Sequence, residues 1–329
     1  MSSAPSPAAR SPRSGLLPRL RGLLPTRVSR RTRVLAWLVL VSNVVIVGTG
    51  GLVRLTGSGM GCETWPYCTS ESLVPTRELG IHGLIEFGNR TLTGVLVIIA
   101  LLAFLAVVRT GRRDLRALTL ANGIGIILQA VIGGIVVWLH LPPTLVGIHF
   151  VISAALVANG AALVARAFAP AGPRRLAVSR PFASLAHLTS GFVAVTVLVG
   201  ILLTGSGPHA GDDLAARNGL DPVLWQHIHS WPAYITFALT LVMIFASWRT
   251  PPAQRLNLWV GLLLAIEVTQ IAVGLWQART GLPIVLVNIH MVLAVSLVAA
   301  MTAVVMHLKT SVPAENPTPL TVATAGAQP

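Results

Sequence analysis

A histidine inside an apolar helix is costly unless it has a partner, and this chain places several there. His149, His229 and His290 fall within long hydrophobic runs, and His82 opens another. Their surroundings are written twice, about 140 residues apart. The first copy reads Leu55-Thr56-Gly57-Ser58-Gly59, then IHGLIEFGNR from Ile81 to Arg90. Gln129-Ala130-Val131-Ile132-Gly133 and PPTLVGIH from Pro142 to His149 complete it. The second reads Leu203-Thr204-Gly205-Ser206-Gly207, then LWQHIHS from Leu224 to Ser230. Gln270-Ile271-Ala272-Val273-Gly274 and PIVLVNIH from Pro283 to His290 follow. Two copies of one helical unit predict two related pockets, within or between the halves.

Neutral imidazole is a strong ligand for iron, and heme iron takes one or two axial ligands within a helical bundle. An interior of Leu, Val, Ile, Gly and Ala suits the macrocycle, and arginine near the interface suits its propionates. His227 and His229 lie about 200° apart around a helix, so only one can enter a given pocket. Aligning the repeats sets Gln226 opposite Glu86 and His229 opposite Asn89, which gives His229 the inward place beside His290. The first-half counterpart of that pair is Asn89 with His149. His140, His187, His209 and His307 sit near span ends or in loops and read as interfacial or structural.

Glu86, Asn89 and Arg90 share a helix face. Glu86 can stand beside Asn89 or pair with Arg90. The group is then either a structural ion pair or a catalytic, proton-handling carboxylate whose arginine orients it or holds a propionate. Cys62 and Cys68 form the only cysteine pair. Five residues separate them, unlike a CxxC redox motif, and both a loop staple and a redox-active pair fit that spacing.

The elements that must hold these side chains are membrane spans. The chain is 53% hydrophobic and 10% charged, and its apolar runs reach the ~20 residues needed to cross a bilayer. Eight spans are predicted, over 35–55, 82–108, 117–139, 144–168, 182–204, 223–247, 257–277 and 284–308. The net charge of +14 does not indicate nucleic-acid binding, because its distribution alternates. Eight arginines precede the first span, and Arg109, Arg112, Arg113, Arg116, Arg166, Arg174, Arg175, Arg180, Arg249 and Arg255 follow even-numbered ones. Glu63, Glu71, Glu78, Asp212, Asp213 and Asp221 occupy the opposite loops. This is the positive-inside pattern of a multi-pass cell-membrane protein with both termini cytoplasmic. The expected organisation is a disordered Arg-rich arm over 1–34, a four-helix bundle over 35–168 and a cytoplasmic linker over 169–181. A second bundle over 182–308 and a disordered tail over 309–329 follow.

These residues resemble the heme A synthase family across nearly all of 35–308. The resemblance rests on Gly57 to Cys62 with Trp65-Pro66-Tyr67-Cys68, on Glu86 to Arg90, and on histidines in spans four, six and eight. It implies an all-α membrane protein of two pseudo-symmetric four-helix bundles. The implied activity is oxidation of a methyl group of heme O to a formyl group, giving heme A for terminal oxidases. It further implies His229 and His290 as axial ligands of a resident heme b. His149 would hold the substrate heme, Glu86 would be the catalytic carboxylate, and Cys62 and Cys68 the family's outer pair. Many members have histidine where this chain has Asn89; His82, about 10 Å away along the axis, is a substitute only for a heme lying nearer the outside. Implied partners are a heme O synthase, a membrane electron acceptor such as a quinone, and the lipid bilayer; a homo-oligomer is compatible. Two other readings fit some of these residues. A b-type electron-transfer cytochrome explains the histidines but leaves Glu86 without a role, and a proton-coupled transporter needs no heme.

Overall fold

The computed structural model describes residues 24–249 and 254–311. Most of the expected arm, most of the expected tail and residues 250–253 lie outside the described residues. The order is α1 (Arg30–Leu55), α2 (Gly80–Leu105), α3 (Arg113–Trp138), α4 (Pro143–Phe168), β1 (Arg174–Leu176), α5 (Arg180–Ser206), α6 (Pro222–Arg249), α7 (Gln254–Arg279), α8 (Ile284–His307) and β2 (Lys309–Ser311). A short 3-10 turn, Arg77–Leu79, leads into α2. All eight helices are long and apolar enough to cross a membrane, which makes this a multi-pass membrane protein.

Local sequence sets the boundaries. Pro143 opens α4, where a missing N–H costs nothing, and Ser179 caps α5 by accepting from the Phe182 amide. The turn after α1 requires positive φ at Gly57. Within the helices Thr119, Thr189, Thr196 and Thr204 each donate to the carbonyl four residues back, so these hydroxyls need no water. The expected disordered tail begins differently from its description. Lys309–Ser311 pairs antiparallel with Arg174–Leu176 of the linker, with Arg175 opposite Thr310.

In the first half α1 packs on α2 and α4, and α3 also packs on both; α5 to α8 pack on one another in the same cyclic order. The halves meet where α8 lies against α1 and α4, and α4 against α5. Val47, Ala154, Val157 and Val295 fill that seam. Arg54 Nη2 adds a 2.8 Å bond to the Thr204 carbonyl, tying α1 to the end of α5.

The tightly packed core lies toward one end of the helices. Near the arginine-rich end, Phe182, Met243, Leu256, Leu263, Met301 and Leu308 close the second half, and Ala36, Val39, Val107, Leu115 and Leu163 the first. There Asp114 binds both Arg112 and Arg166, joining α3 to α4. Toward the other end, which carries Cys62 and Cys68, packing changes. Beyond Val193, Thr236, Glu267 and Val295, the described side chains of α5–α8 leave only Pro232 and Gly205 buried. His229 and His290 lie in that zone, both half-buried.

Candidate heme and carboxylate sites

Each half builds its site with the same device. In the first, Gln129 Nε2 on α3 donates to the His149 carbonyl at 2.9 Å. In the second, Gln270 Nε2 on α7 donates to the His290 carbonyl at 3.1 Å. One helical turn on, a glycine leaves space for the imidazole. A Cβ on Gly133 would stand 3.6 Å from His149 Cε1, and one on Gly274 would stand 3.0 Å from His290 Cε1. Gly200 on α5 does the same for His229, at 2.9 Å. The pattern Gln-x-x-x-Gly therefore orients a histidine-bearing helix and seats its ring.

His229 and His290 face each other with ring centres 6.4 Å apart and planes at 72°. Two imidazoles on opposite sides of one iron, with metal–nitrogen bonds of about 2.0–2.1 Å, put their ring centres roughly 6 Å apart. Nδ1 of both rings, and of His149, is buried with no hydrogen-bond partner. The second-half pair fits a bis-imidazole heme iron in spacing, donor chemistry and surroundings. His227 is exposed, as the 200° argument requires.

The first half pairs its imidazole with different chemistry. Asn89 does not stand free as a ligand: its Oδ1 accepts from Thr49 Oγ1 of α1 at 2.7 Å. Glu86 is 5% exposed and takes Arg90 as its partner, not Asn89, with Nη2 at 2.5 Å and Nε at 3.1 Å from Oε1. Its Oε2 accepts from the Cys62 amide at 2.6 Å. Arg90 Nη1 continues to the carbonyls of Thr64 and Tyr67, at 2.9 and 3.2 Å. Cys62 and Cys68 are joined in a disulfide and fully buried. The loop they close is thus the partner that holds Glu86 and Arg90. His82 is exposed and bonds Ser58 Oγ through Nδ1 at 2.8 Å, which attaches it to the turn after α1.

Three features escape a reading of the sequence. The glycines at 133, 200 and 274 look like ordinary small residues of a membrane bundle, although the repeated Gln-x-x-x-Gly spacing flags two of them. Trp65, in the disulfide loop, packs against Gly134. Glu267 on α7 is 5% exposed, with Oε1 accepting from Thr240 Oγ1 at 2.8 Å and Oε2 unpartnered. An acid inside an apolar run is the signal that would have found it. Among the described residues no three His, Cys, Asp or Glu side chains gather to hold a metal ion.

Known proteins are similar to this chain over most of its length. The chain is 25% identical over 292 residues to the heme A synthase of Halalkalibacterium halodurans, covering 85% of this chain and 97% of that one. It is 26% identical over 294 residues to the heme A synthase of Bacillus mycoides, covering 83% and 93%. A shorter match, 33% identical over 130 residues, links it to the heme A synthase of Exiguobacterium sibiricum, covering 38% of this chain and 43% of that protein. Residues 33–81 and 77–302 match one family description, a span that takes in both repeats, both sites and the loop between Cys62 and Cys68. The chain belongs to the cytochrome oxidase assembly protein family.

Proposed function

We propose that this protein is a heme A synthase, a membrane oxidoreductase that converts the methyl group of heme O to a formyl group. The observation that carries this reading is the unlike pair of sites built from like repeats. One offers two imidazoles 6.4 Å apart, and the other a single imidazole with a carboxylate–guanidinium pair. A cytochrome with two relay hemes gives Glu86 no task, and a transporter gives the histidine spacing none.

In this reading His229 and His290 hold a resident heme b in the second half, within 182–308. When bound, it would supply reversible one-electron chemistry. His149 holds the substrate iron in the first half, within 35–168, and the pinned Asn89 leaves its opposite face without a protein ligand. Conversion of methyl to formyl adds one oxygen from water and releases four protons and four electrons. Glu86 accepts protons at its carboxylate, and Arg90 holds Oε1 so that the group stays aimed at the reacting rim. Electrons leave to a membrane acceptor of the quinone class, and heme O arrives from a heme O synthase, since the substrate is too apolar to cross water. In the same reading both termini lie in the cytoplasm of a cell-membrane protein and the disulfide loop faces the oxidising side, which the positive-inside distribution of arginine supports.

Co-expression with a heme O synthase, followed by chromatography of acid-extracted hemes, tests the reading. Heme A should form only when both proteins are present. A colourless, correctly inserted protein, or one that holds heme b and returns heme O unchanged, would overturn it.

A further inference from the structure

A single axial imidazole fixes where an iron sits but leaves the porphyrin free to turn about the iron–nitrogen bond. Several chemically similar methyl groups lie around such a rim, so the first half needs a further element to choose one. The second half, with no group to oxidise, does not. A disulfide-closed loop follows the first helix of the first half and has no counterpart in the second.

Trp65 lies within the Cys62–Cys68 loop, and its indole is seated on α3 at Gly134, where a Cβ would stand 2.6 Å from Cδ2. Its ring meets Trp138 edge-on, with centres 5.7 Å apart. The preceding residue, Gly133, is the one that makes room for His149. Consecutive residues of α3, about 100° apart around the helix, therefore seat the indole and the imidazole. On the loop's other flank, Arg90 grips the carbonyls of Thr64 and Tyr67, which bracket Trp65, and the same guanidinium holds Glu86. Contacts run unbroken from Glu86 through Arg90 and the loop to Trp65, then through Gly134 and Gly133 to His149. In the second repeat the matching positions are Gln226, Ser230 and Leu275, and no cysteine lies between Gly207 and Asp221. The carboxylate, the guanidinium, the closed loop and the seat for the indole are all missing there, although Gly274 and His290 remain.

We propose that Trp65 is a positioning residue of the first-half site. Its indole, clamped on Gly134, walls the pocket between His149 and Glu86 and sets the rotation of the bound porphyrin, and so selects the methyl group that meets Glu86. The inference rests on the synthase reading. A tryptophan suits the task because it presents a large rigid face with only two side-chain torsions to fix. The loop adds a covalent closure and two charge-assisted hydrogen bonds to keep that face in place.

The test uses the full chain co-expressed with a heme O synthase. Wild type, Trp65→Ala, Trp65→Phe and Gly134→Ala are compared by mass-resolved chromatography of heme O, the singly oxidised alcohol, heme A and positional isomers. Trp65→Ala should lower heme A by at least about tenfold, as misplacement of a reacting group does. It should also raise the share of alcohol or of isomers, with heme b absorbance unchanged. Trp65→Phe should restore most of the wild-type partition. Trp65→Ala with the wild-type rate and partition overturns the proposal, as does a uniform fall in turnover with the partition and KM unaltered. Should Trp65→Ala fail to accumulate, Gly134→Ala reads the same quantity, because it shifts the indole without removing it; an unchanged partition there overturns the proposal equally. Failure of the wild type to make heme A is a different result, and it removes the synthase reading instead.

Discussion

The glycines that face the imidazoles allow a graded prediction. Ordinary carbon contacts settle at about 3.5–4.0 Å. A methyl group at Gly274 would stand 3.0 Å from His290 Cε1, and one at Gly200 would stand 2.9 Å from His229 Cε1. Either ring must then retreat by roughly half an ångström, more than the ~0.2 Å by which a metal–ligand bond can vary. At Gly133 the distance to His149 is already 3.6 Å, so an added methyl fits. Overpacking of this kind costs about 1–3 kcal/mol, equal to a roughly 5- to 150-fold loss of affinity for the ligand that the ring holds. Gly200→Ala and Gly274→Ala should therefore each retain a small fraction of the heme b of the wild type. Gly133→Ala should retain all of it and still bind heme O. Heme per protein by the pyridine hemochrome assay, and the low-spin signal of the iron, measure both. Full heme b in Gly274→Ala with an unchanged low-spin signal would refute the assignment of that glycine as the imidazole seat.

Glu86→Gln keeps an acceptor for the Cys62 amide but removes the charge opposite Arg90. Heme A formation should fall by about 100-fold or more while heme b stays, and turnover near wild type in the extracted-heme assay would remove the carboxylate from the chemistry. Replacing both Cys62 and Cys68 by Ser opens a short loop closure worth roughly 2 kcal/mol. Because that loop grips Glu86 and Arg90, thermal melts in detergent should shift downward and heme A yield should drop, with the second-half heme spectrum preserved; normal yield would reduce the loop to a staple. Asn89→His removes the acceptor for Thr49 Oγ1 and offers an imidazole opposite His149. The optical spectrum of the heme O-loaded protein should move toward a six-coordinate low-spin form, and no change would place residue 89 away from the iron.

Much of this was legible in the chain because hydrophobic length and repeated residues are local signals. The eight spans came from apolar runs, though α1 begins at Arg30 and α6 runs to Arg249, beyond the apolar runs, since polar turns extend helices past the hydrocarbon. The inward choice of His229 over His227 followed from helical rotation together with the alignment of the repeats. The loop's grip on Glu86 was not legible: Cys62 and Glu86 are 24 residues apart, and the bond is made by a backbone amide that any residue carries. Asn89 shows the same limit, because its tie to Thr49 depends on how α1 and α2 cross. Glu267 and Thr240 replace what the repeat alignment gives as Ile126 and Ala100, two apolar residues that pack together in the first half. Only the fold reveals that the exchanged pair meets.

The seam between the repeats has a consequence for how such a chain is assembled. Helices α4 and α8 occupy equivalent places in their repeats and pack against each other, while α1 against α8 mirrors α5 against α4. A surface whose members contact their own counterparts is what a twofold homodimer of single repeats would present. On that geometry the polypeptide severed between Phe168 and Arg180 should reconstitute from two separately synthesised pieces.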